Sequence, residues 1–258
     1  MRRLERGDGW MEASRRPEGA SRLTAVLFDL GNTLVGGSDT EEAFMSSVRS
    51  LVKLLEDRGY RVEERRVAEV RLRNREYFKE VRRATLREVL GEVWMAKDLE
   101  GLGVEPSREL VAEALKAHCE AILSHRFVYD DALVALEELR DAGAVMAVVS
   151  NVSVHDLAVE SLKRLGLLGY FKAVVTSAQV GWRKPHPAIF AEALRRLDCA
   201  PSEAVFVGDD PVADVEGAKG VGMKAVLVER RGAKPCRRAQ PDLRLTSLRE
   251  LCSALEAL

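Results

Sequence analysis

A small set of polar residues stands at the ends of short apolar runs. Asp29 closes the run at residues 23–30 (LTAVLFDL), and Ser150 with Asn151 follows residues 144–149 (AVMAVV). Lys184 lies in GWRKPHPAIF, just beyond AVVT at residues 173–176. Asp209 and Asp210 follow AVFV at residues 204–207, and Asp214 stands five residues past Asp209. Carboxylates can attack an electrophile or hold a cation, a lysine can neutralise an anion, and a hydroxyl can donate a hydrogen bond. Each residue also has a structural reading. Asp29 and Thr33 fit a turn, Ser150 a helix cap, Lys184 a surface position, and Asp209 with Asp214 a turn and a cap. What favours chemistry is that all of them fall in order, each at the end of its run.

The elements that must carry these residues follow from the apolar pattern. Runs of strand length without polar alternation are expected for strands buried on both faces of a parallel sheet. A further run, AVLV at residues 225–228, repeats the type, and a last short strand is expected near Leu243. Helical stretches at residues 132–142, 155–165, 188–197 and 214–220 alternate with them. This alternation predicts right-handed crossovers and a doubly wound α/β fold. In such a sheet ligands bind outside the carboxyl ends of the strands, where the polar residues stand.

One segment breaks the alternation. Between residues 40 and 125 there is helical periodicity and no buried-strand run, with helices expected at 41–58, 64–82, 83–99 and 107–123. The expected organisation is a leader at 1–20 without order, an α/β core at 21–38 and 127–258, and an inserted helical cap at 39–126. A loop rich in basic residues and proline (230–241) precedes the last strand and a closing helix at 248–258.

Composition narrows the partners. The net charge is -1 and aromatic residues make up 5% of the 258, which suits neither phosphate-backbone contacts nor base stacking. No apolar stretch approaches the ~20 residues of a membrane span. The first twenty residues carry charges of both signs and no apolar block, unlike a secretory signal. Cys119, Cys199, Cys236 and Cys252 show neither CxxC nor metal-ligand spacing, as expected for reduced thiols of a cytoplasmic protein. Oligomeric state is left open between monomer and homodimer.

The strand-end segments together resemble the four motifs of the haloacid dehalogenase (HAD) superfamily, from residue 23 to about 229. The most specific matches are GxxKPxPxxF at 181–190 and GDxxxxDxxGAxxxGM at 208–223. The insertion lies where that superfamily carries its C1 cap. The resemblance implies a hydrolase in which Asp29 attacks the phosphorus of a small phosphorylated substrate and water then hydrolyses the aspartyl-phosphate. It implies Mg²⁺ held by Asp29, the backbone carbonyl of Gly31 and Asp209. Lys184 would bridge nucleophile and phosphate, and Ser150 with backbone N–H groups near Asn151 would bind the phosphoryl oxygens. Thr33 would support the loop, and Asp214 would orient Lys184 or water.

The chain departs from the superfamily's phosphatase pattern DxDxT at one point: Gly31 stands where the second Asp, the acid/base, is expected. Three readings follow. The enzyme is a phosphatase for good leaving groups, or one whose acid comes from the substrate or from Asp39, Glu41 or Glu42. Alternatively it is a 2-haloacid dehalogenase-like hydrolase, because a halide leaves without a proton, although those enzymes lack the acidic fourth motif kept here. The third reading is a weakly active binder of a phosphorylated ligand or a partner protein.

Other residues are read more plainly. His186 is expected at a helix start, Trp182 under the Lys184 loop, and Asp210 in a turn rather than on a metal. His118 and His125, seven residues apart, are expected to share a helix face without forming a zinc site.

Overall fold

The computed structural model describes residues 25–230 and 235–258, so the expected leader and residues 231–234 of the basic loop lie outside the described residues. In chain order the strands and helices are β1 (Ala25–Phe28), β2 (Val35–Gly36), α1 (Glu41–Asp57), α2 (Glu64–Thr85), α3 (Gly91–Gly101), α4 (Arg108–Leu123), β3 (Phe127–Val128), α5 (Asp130–Asp141), β4 (Val145–Ser150), α6 (His155–Arg164), β5 (Ala173–Thr176), α7 (Ser177–Val180), α8 (Pro187–Leu197), β6 (Ala204–Gly208), α9 (Gly217–Gly220), β7 (Lys224–Val228), β8 (Leu243–Leu245) and α10 (Leu251–Leu255).

Six strands form one sheet in the order β5-β4-β1-β6-β7-β8, and every pairing in it is parallel. The chain winds outward from β1 in both directions, so β1 lies at the point where the strand order reverses. Both faces of the sheet are covered. Val26 and Phe28 of β1 pack with Val205 and Val207 of β6 into an apolar layer that includes Leu136 and Leu162. Ala25 and Leu27 turn the other way, into a layer with Phe206, Ile189 and Phe190. The two-residue alternation of a strand thus feeds two cores, which is why the strand sequences show no polar alternation.

Helices α1 to α4 lie between β2 and β3, which pair antiparallel, Val35 with Val128 and Gly36 with Phe127. This two-stranded ribbon ties the exit and return of the chain together. Helix α1 opens on a Thr40 cap, whose hydroxyl accepts from Ala43 N at 3.1 Å, and α4 opens likewise on Ser107. Such caps are each worth about 1 kcal/mol. Ala43, Ser47, Val48, Leu51 and Leu55 form the buried stripe of α1, at the spacing one helix face requires. Val48, Leu51, Met95, Leu99, Leu110 and Ala114 belong to an apolar core within the insertion.

The elements differ from the sequence expectation in three places. The helix expected at 83–99 begins only at Gly91. Helix α2 runs to Thr85 and stops at Leu86, whose φ of 54° is left-handed and ends the helical path. Residues beyond it run to the core, where Arg87 pairs with Trp182 and Glu88 N donates to Gly181 O at 3.0 Å. The helix expected at 214–220 is a π-helical turn, Pro211–Glu216, followed by the short α9. The closing helix is shorter than expected, a 3₁₀ turn at Leu248–Glu250 leading into α10. His125 lies beyond the end of α4, so it does not share a helix face with His118.

Candidate active site

Asp29 follows β1 directly, and its backbone N–H donates to Val207 O at 2.9 Å, continuing the pairing with β6 past the end of the strand. Its side chain therefore stands between the ends of β4 and β6, at the reversal point of the sheet. Ser150 is the last residue of β4 and is buried. Asp209 follows Gly208 at the end of β6.

Lys184 is the centre of the arrangement. It is 4% exposed, and its ammonium donates to Asp29 Oδ1 at 2.6 Å and to Val149 O at 2.8 Å. It also lies 2.8 Å from Asp214 Oδ1, and 4.9 Å from the centroid of the Phe206 ring beside it. A buried ammonium has three donors to satisfy, and here it finds two carboxylates and a carbonyl. Asn151 holds the segment that brings the lysine in. Its amide oxygen accepts from Lys184 N at 2.8 Å, and its amide nitrogen donates to Lys184 O at 3.0 Å. The Asn151 side chain is thus a clamp on the lysine's backbone, a use its position in the sequence did not indicate.

Asp214 is 2% exposed; one oxygen accepts from Asp210 N at 2.9 Å, and the other faces the Lys184 ammonium as an ion pair without a hydrogen-bond partner among the described residues. The glycines of this segment are explained by close approach. A Cβ on Gly208 would overlap the Asp214 carboxylate, and one on Gly217 would press on the Phe190 ring and Pro185. Asp210 caps the π-helical turn, with Oδ1 accepting from Val212 N and Ala213 N. That is the turn role expected of it. His186 likewise takes the helix-start role, its Nδ1 accepting from Ala188 N at 3.2 Å. Trp182 stacks on His186 of the lysine loop, with ring centroids 3.8 Å apart, and Arg87 of the insertion lies over its ring at 3.7 Å.

Thr33 is fully buried, and its hydroxyl has no hydrogen-bond partner among the described residues. Its carbonyl accepts from Arg230, whose guanidinium also pairs with Asp131 at 2.7 Å. Thr33 therefore belongs to the framework of the loop after β1.

The electrostatics of the rim are set by burial and by the lysine. Burial raises the pKa of Asp29, Lys184 recovers only part of that rise, and Asp209 adds to it. Asp214 is pushed up to about 7, first by burial and then by Asp29 against the pull of Lys184. Burial alone would lower the lysine, but Asp214 and Asp29 outweigh it and hold its pKa above the ordinary value. Lys184 pairs with Asp29 and Asp214, and Asp209 stands beside them. Oxygen atoms of Asp29, Asp209 and Asp214 all lie within 4.8 Å of one another, a set of hard donors suited to a divalent cation. The donor chemistry fits such an ion.

A buried lysine thus joins the aspartate after the reversal strand to Asp214 in the turn beyond β6, the arrangement that the sequence resemblance leads one to expect. The comparisons agree: the profile of the haloacid dehalogenase-like hydrolases matches residues 23–222, and the chain belongs to that family. It is 33% identical over 216 residues to a glyceraldehyde 3-phosphate phosphatase of Methanopyrus kandleri, covering 81% of this chain and 84% of that one. Among solved structures it resembles a 2-haloacid dehalogenase from Pseudomonas syringae pv. Tomato, with a TM-score of 0.72 and 26% identity over 91% of this chain and 99% of that one. A HAD phosphatase from Thermococcus onnurineus gives a TM-score of 0.64 and 30% identity over 90% of this chain and 97% of that one.

Proposed function

We propose that this hydrolase is a Mg²⁺-dependent phosphatase of small phosphorylated metabolites, with Asp29 as the nucleophile. The observation that carries the reading is the Lys184 bridge to Asp29 and Asp214 beside a third carboxylate, Asp209. A halide leaving group would need no cation in this acidic set, whereas a phosphate dianion cannot approach Asp29 until charge is neutralised.

In this reading an oxygen of Asp29 attacks phosphorus in line, the bond from phosphorus to the ester oxygen breaks, and an aspartyl-phosphate remains. Water then attacks the phosphoryl group, releasing inorganic phosphate and regenerating the carboxylate. Asp29, Asp209 and the Gly31 carbonyl would hold Mg²⁺, which would supply neutralisation of the phosphate charge. Lys184 contributes the second positive charge and fixes the unattacking oxygen of Asp29. Ser150 and the backbone N–H groups around Asn151 bind phosphoryl oxygens, and Asp214 orients Lys184. The leaving oxygen takes its proton from the substrate or from an acid at the start of α1, where Asp39, Glu41 and Glu42 are exposed. A cytoplasmic setting goes with this reading, since the four cysteines form no disulfide with one another.

The test is phosphate release from p-nitrophenyl phosphate, whose phenolate leaves without a proton. Turnover that requires Mg²⁺ and is lost in Asp29→Asn is expected, by more than about 10⁴-fold as for a removed nucleophile. Turnover that survives the substitution would remove Asp29 from the chemistry. A second reading, 2-haloacid dehalogenation, is favoured only by Gly31, which leaves the site without its usual acid. Metal-independent chloride release from a 2-chloro acid would establish it in place of the first. If neither reaction occurred, binding of a phosphorylated ligand without turnover would be the surviving role.

A further inference from the structure

A cavity of about 360 Å³ lies between the insertion and the strand-end rim, within the size range of small-molecule sites. It reaches the rim at Asn151, the residue that clamps Lys184. Its wall is strongly cationic. Arg71, Arg75 and Arg82 of α2, Arg126 ahead of β3, and Arg183 beside the lysine all line it.

Two carboxylates answer these five arginines. Asp98 pairs with Arg71 at 3.2 Å, and Glu88 pairs with both Arg82 and Arg183. The wall is left with an excess of three positive charges. The two arginines outside these pairs differ in setting. Arg75 is exposed, with no ion pair or hydrogen bond among the described residues. Arg126 donates through Nη1 to Ser161 Oγ at 2.9 Å, but its Nε is buried without a hydrogen-bond partner among the described residues, and burial lowers its pKa against the opposing pull of Asp29. A guanidinium N–H buried without an acceptor is costly unless a ligand supplies one. A single phosphoryl group at Asp29 is already answered by Lys184 and the cation site, so it does not account for this second concentration of positive charge.

We propose that the substrate carries a second anionic group, a carboxylate or a second phosphate, which sits in this cavity against Arg126 and Arg75 while the phosphoryl group to be cleaved sits at Asp29. The proposal rests on the phosphatase reading of Asp29, and it selects doubly anionic metabolites over phosphate esters of neutral alcohols and aldehydes. A planar carboxylate or a phosphate is the partner that a guanidinium fork binds best.

The test measures binding, so that it stands apart from turnover. Dissociation constants of propylphosphonate, 3-phosphonopropanoate and propane-1,3-diphosphonate are determined by calorimetry on the full chain with Mg²⁺. At least one of the two doubly anionic probes is expected to bind about tenfold or more tighter than propylphosphonate, the scale of one charged hydrogen bond. Which of the two leads identifies the second group as carboxylate or phosphate. Arg75→Ala is expected to reduce that preference several-fold, and Arg126→Gln to reduce it further. Arg75 is exposed, so its variant tests the proposal even if the Arg126 variant fails to fold. Equal affinity for all three probes would overturn the proposal, and so would a preference that both variants keep in full. Preference without any phosphate release would instead strike the phosphatase reading. Release of phosphate from p-nitrophenyl phosphate with no preference would leave that reading standing and remove this one.

Discussion

The strand-end rim and the cavity wall above it both concentrate charge, with opposite signs and by different means. On the rim, Lys184 sits between Asp29 and Asp214 with Asp209 beside them, and burial makes the charge of Asp29 and Asp214 expensive. On the wall, arginines outnumber carboxylates, and the pairs that do form use Asp98 and Glu88, both with side chains almost wholly buried. A negative rim attracts a cation, and a positive wall attracts an anion. Asp29 and Asp209 of the rim follow parallel strands, while three of the wall's five arginines, Arg71, Arg75 and Arg82, belong to helix α2. The attachment of wall to rim is correspondingly specific. Glu88 on the segment after α2 accepts from Arg82 of the insertion and from Arg183 and Ser177 of the core. Glu88 is thus one of the contacts that hold the two charge patterns in register, together with Trp94 Nε1 donating to Ser153 Oγ at 3.0 Å and Arg183 N donating to Leu86 O at 2.9 Å.

The comparison breaks most completely at Lys184. In Lys184→Met the rim keeps its three carboxylates and loses the ammonium that pairs with Asp29 and Asp214. Breaking a buried pair by removing one partner commonly costs about 3–5 kcal/mol, and loss of one preorganised electrostatic group costs about 10²–10³ in rate. Steady-state assays on p-nitrophenyl phosphate are expected to show a fall of about 10³-fold in kcat. Chemical denaturation should show a lower midpoint. A variant retaining a tenth of wild-type kcat would show that the rim does not depend on this charge.

Gly31→Asp sharpens the contrast by adding a fourth carboxylate to the rim. A Cβ at this position meets nothing within 4 Å, so the substitution fits without displacing a neighbour. General acid catalysis is worth about 10²–10⁴, and part of that should be recovered on esters whose leaving alcohols need a proton. A rise of about tenfold to 100-fold in kcat for an alkyl phosphate is expected, with little change for p-nitrophenyl phosphate. The ratio of the two rates is the measurement. An unchanged ratio would mean that proton donation to the leaving group is already supplied elsewhere.

How much of this was readable from the chain differs between the two regions. The sheet was legible because β1, β4, β5, β6 and β7 are apolar runs buried on both faces, and such runs have few other uses. The residues at their ends could be named because a parallel sheet fixes where its carboxyl ends point. The Val149 carbonyl under Lys184 left no trace, because any residue type offers the same acceptor. The ribbon of β2 and β3 was missed because two-residue strands are too short to show a period. Residues 86–90 were misread as helix because charged and apolar residues alternate there much as on a solvated helix face. In fact Leu86 turns the chain and Glu88 is drawn into the core contacts. The cationic wall was invisible for a related reason: its arginines come from positions 71, 75, 82, 126 and 183, and only folding brings them together.

The smallest effect tests whether the wall's positive charge is set by arginine alone. His118 of α4 lines the cavity, and its Nδ1 lies 3.1 Å from Arg71 Nη2 and 2.6 Å from Ser47 Oγ. A ring nitrogen facing a guanidinium must accept, so the imidazole is neutral. Burial first, and the Arg71 charge second, lower its pKa to about 3. The unfolded chain would protonate this residue near pH 6.5. Between about pH 6.5 and 3 the unfolded state therefore binds a proton that the folded state excludes, and stability falls as the pH is lowered through that window. The contribution approaches about 1.4 kcal/mol per pH unit below 6. In His118→Gln that dependence is absent, so denaturation midpoints of variant and wild type should converge or cross as the pH falls from 7 to 4.5. Parallel lines over that range would show that His118 takes up its proton in the folded protein, adding a further positive charge to a wall that already has too many.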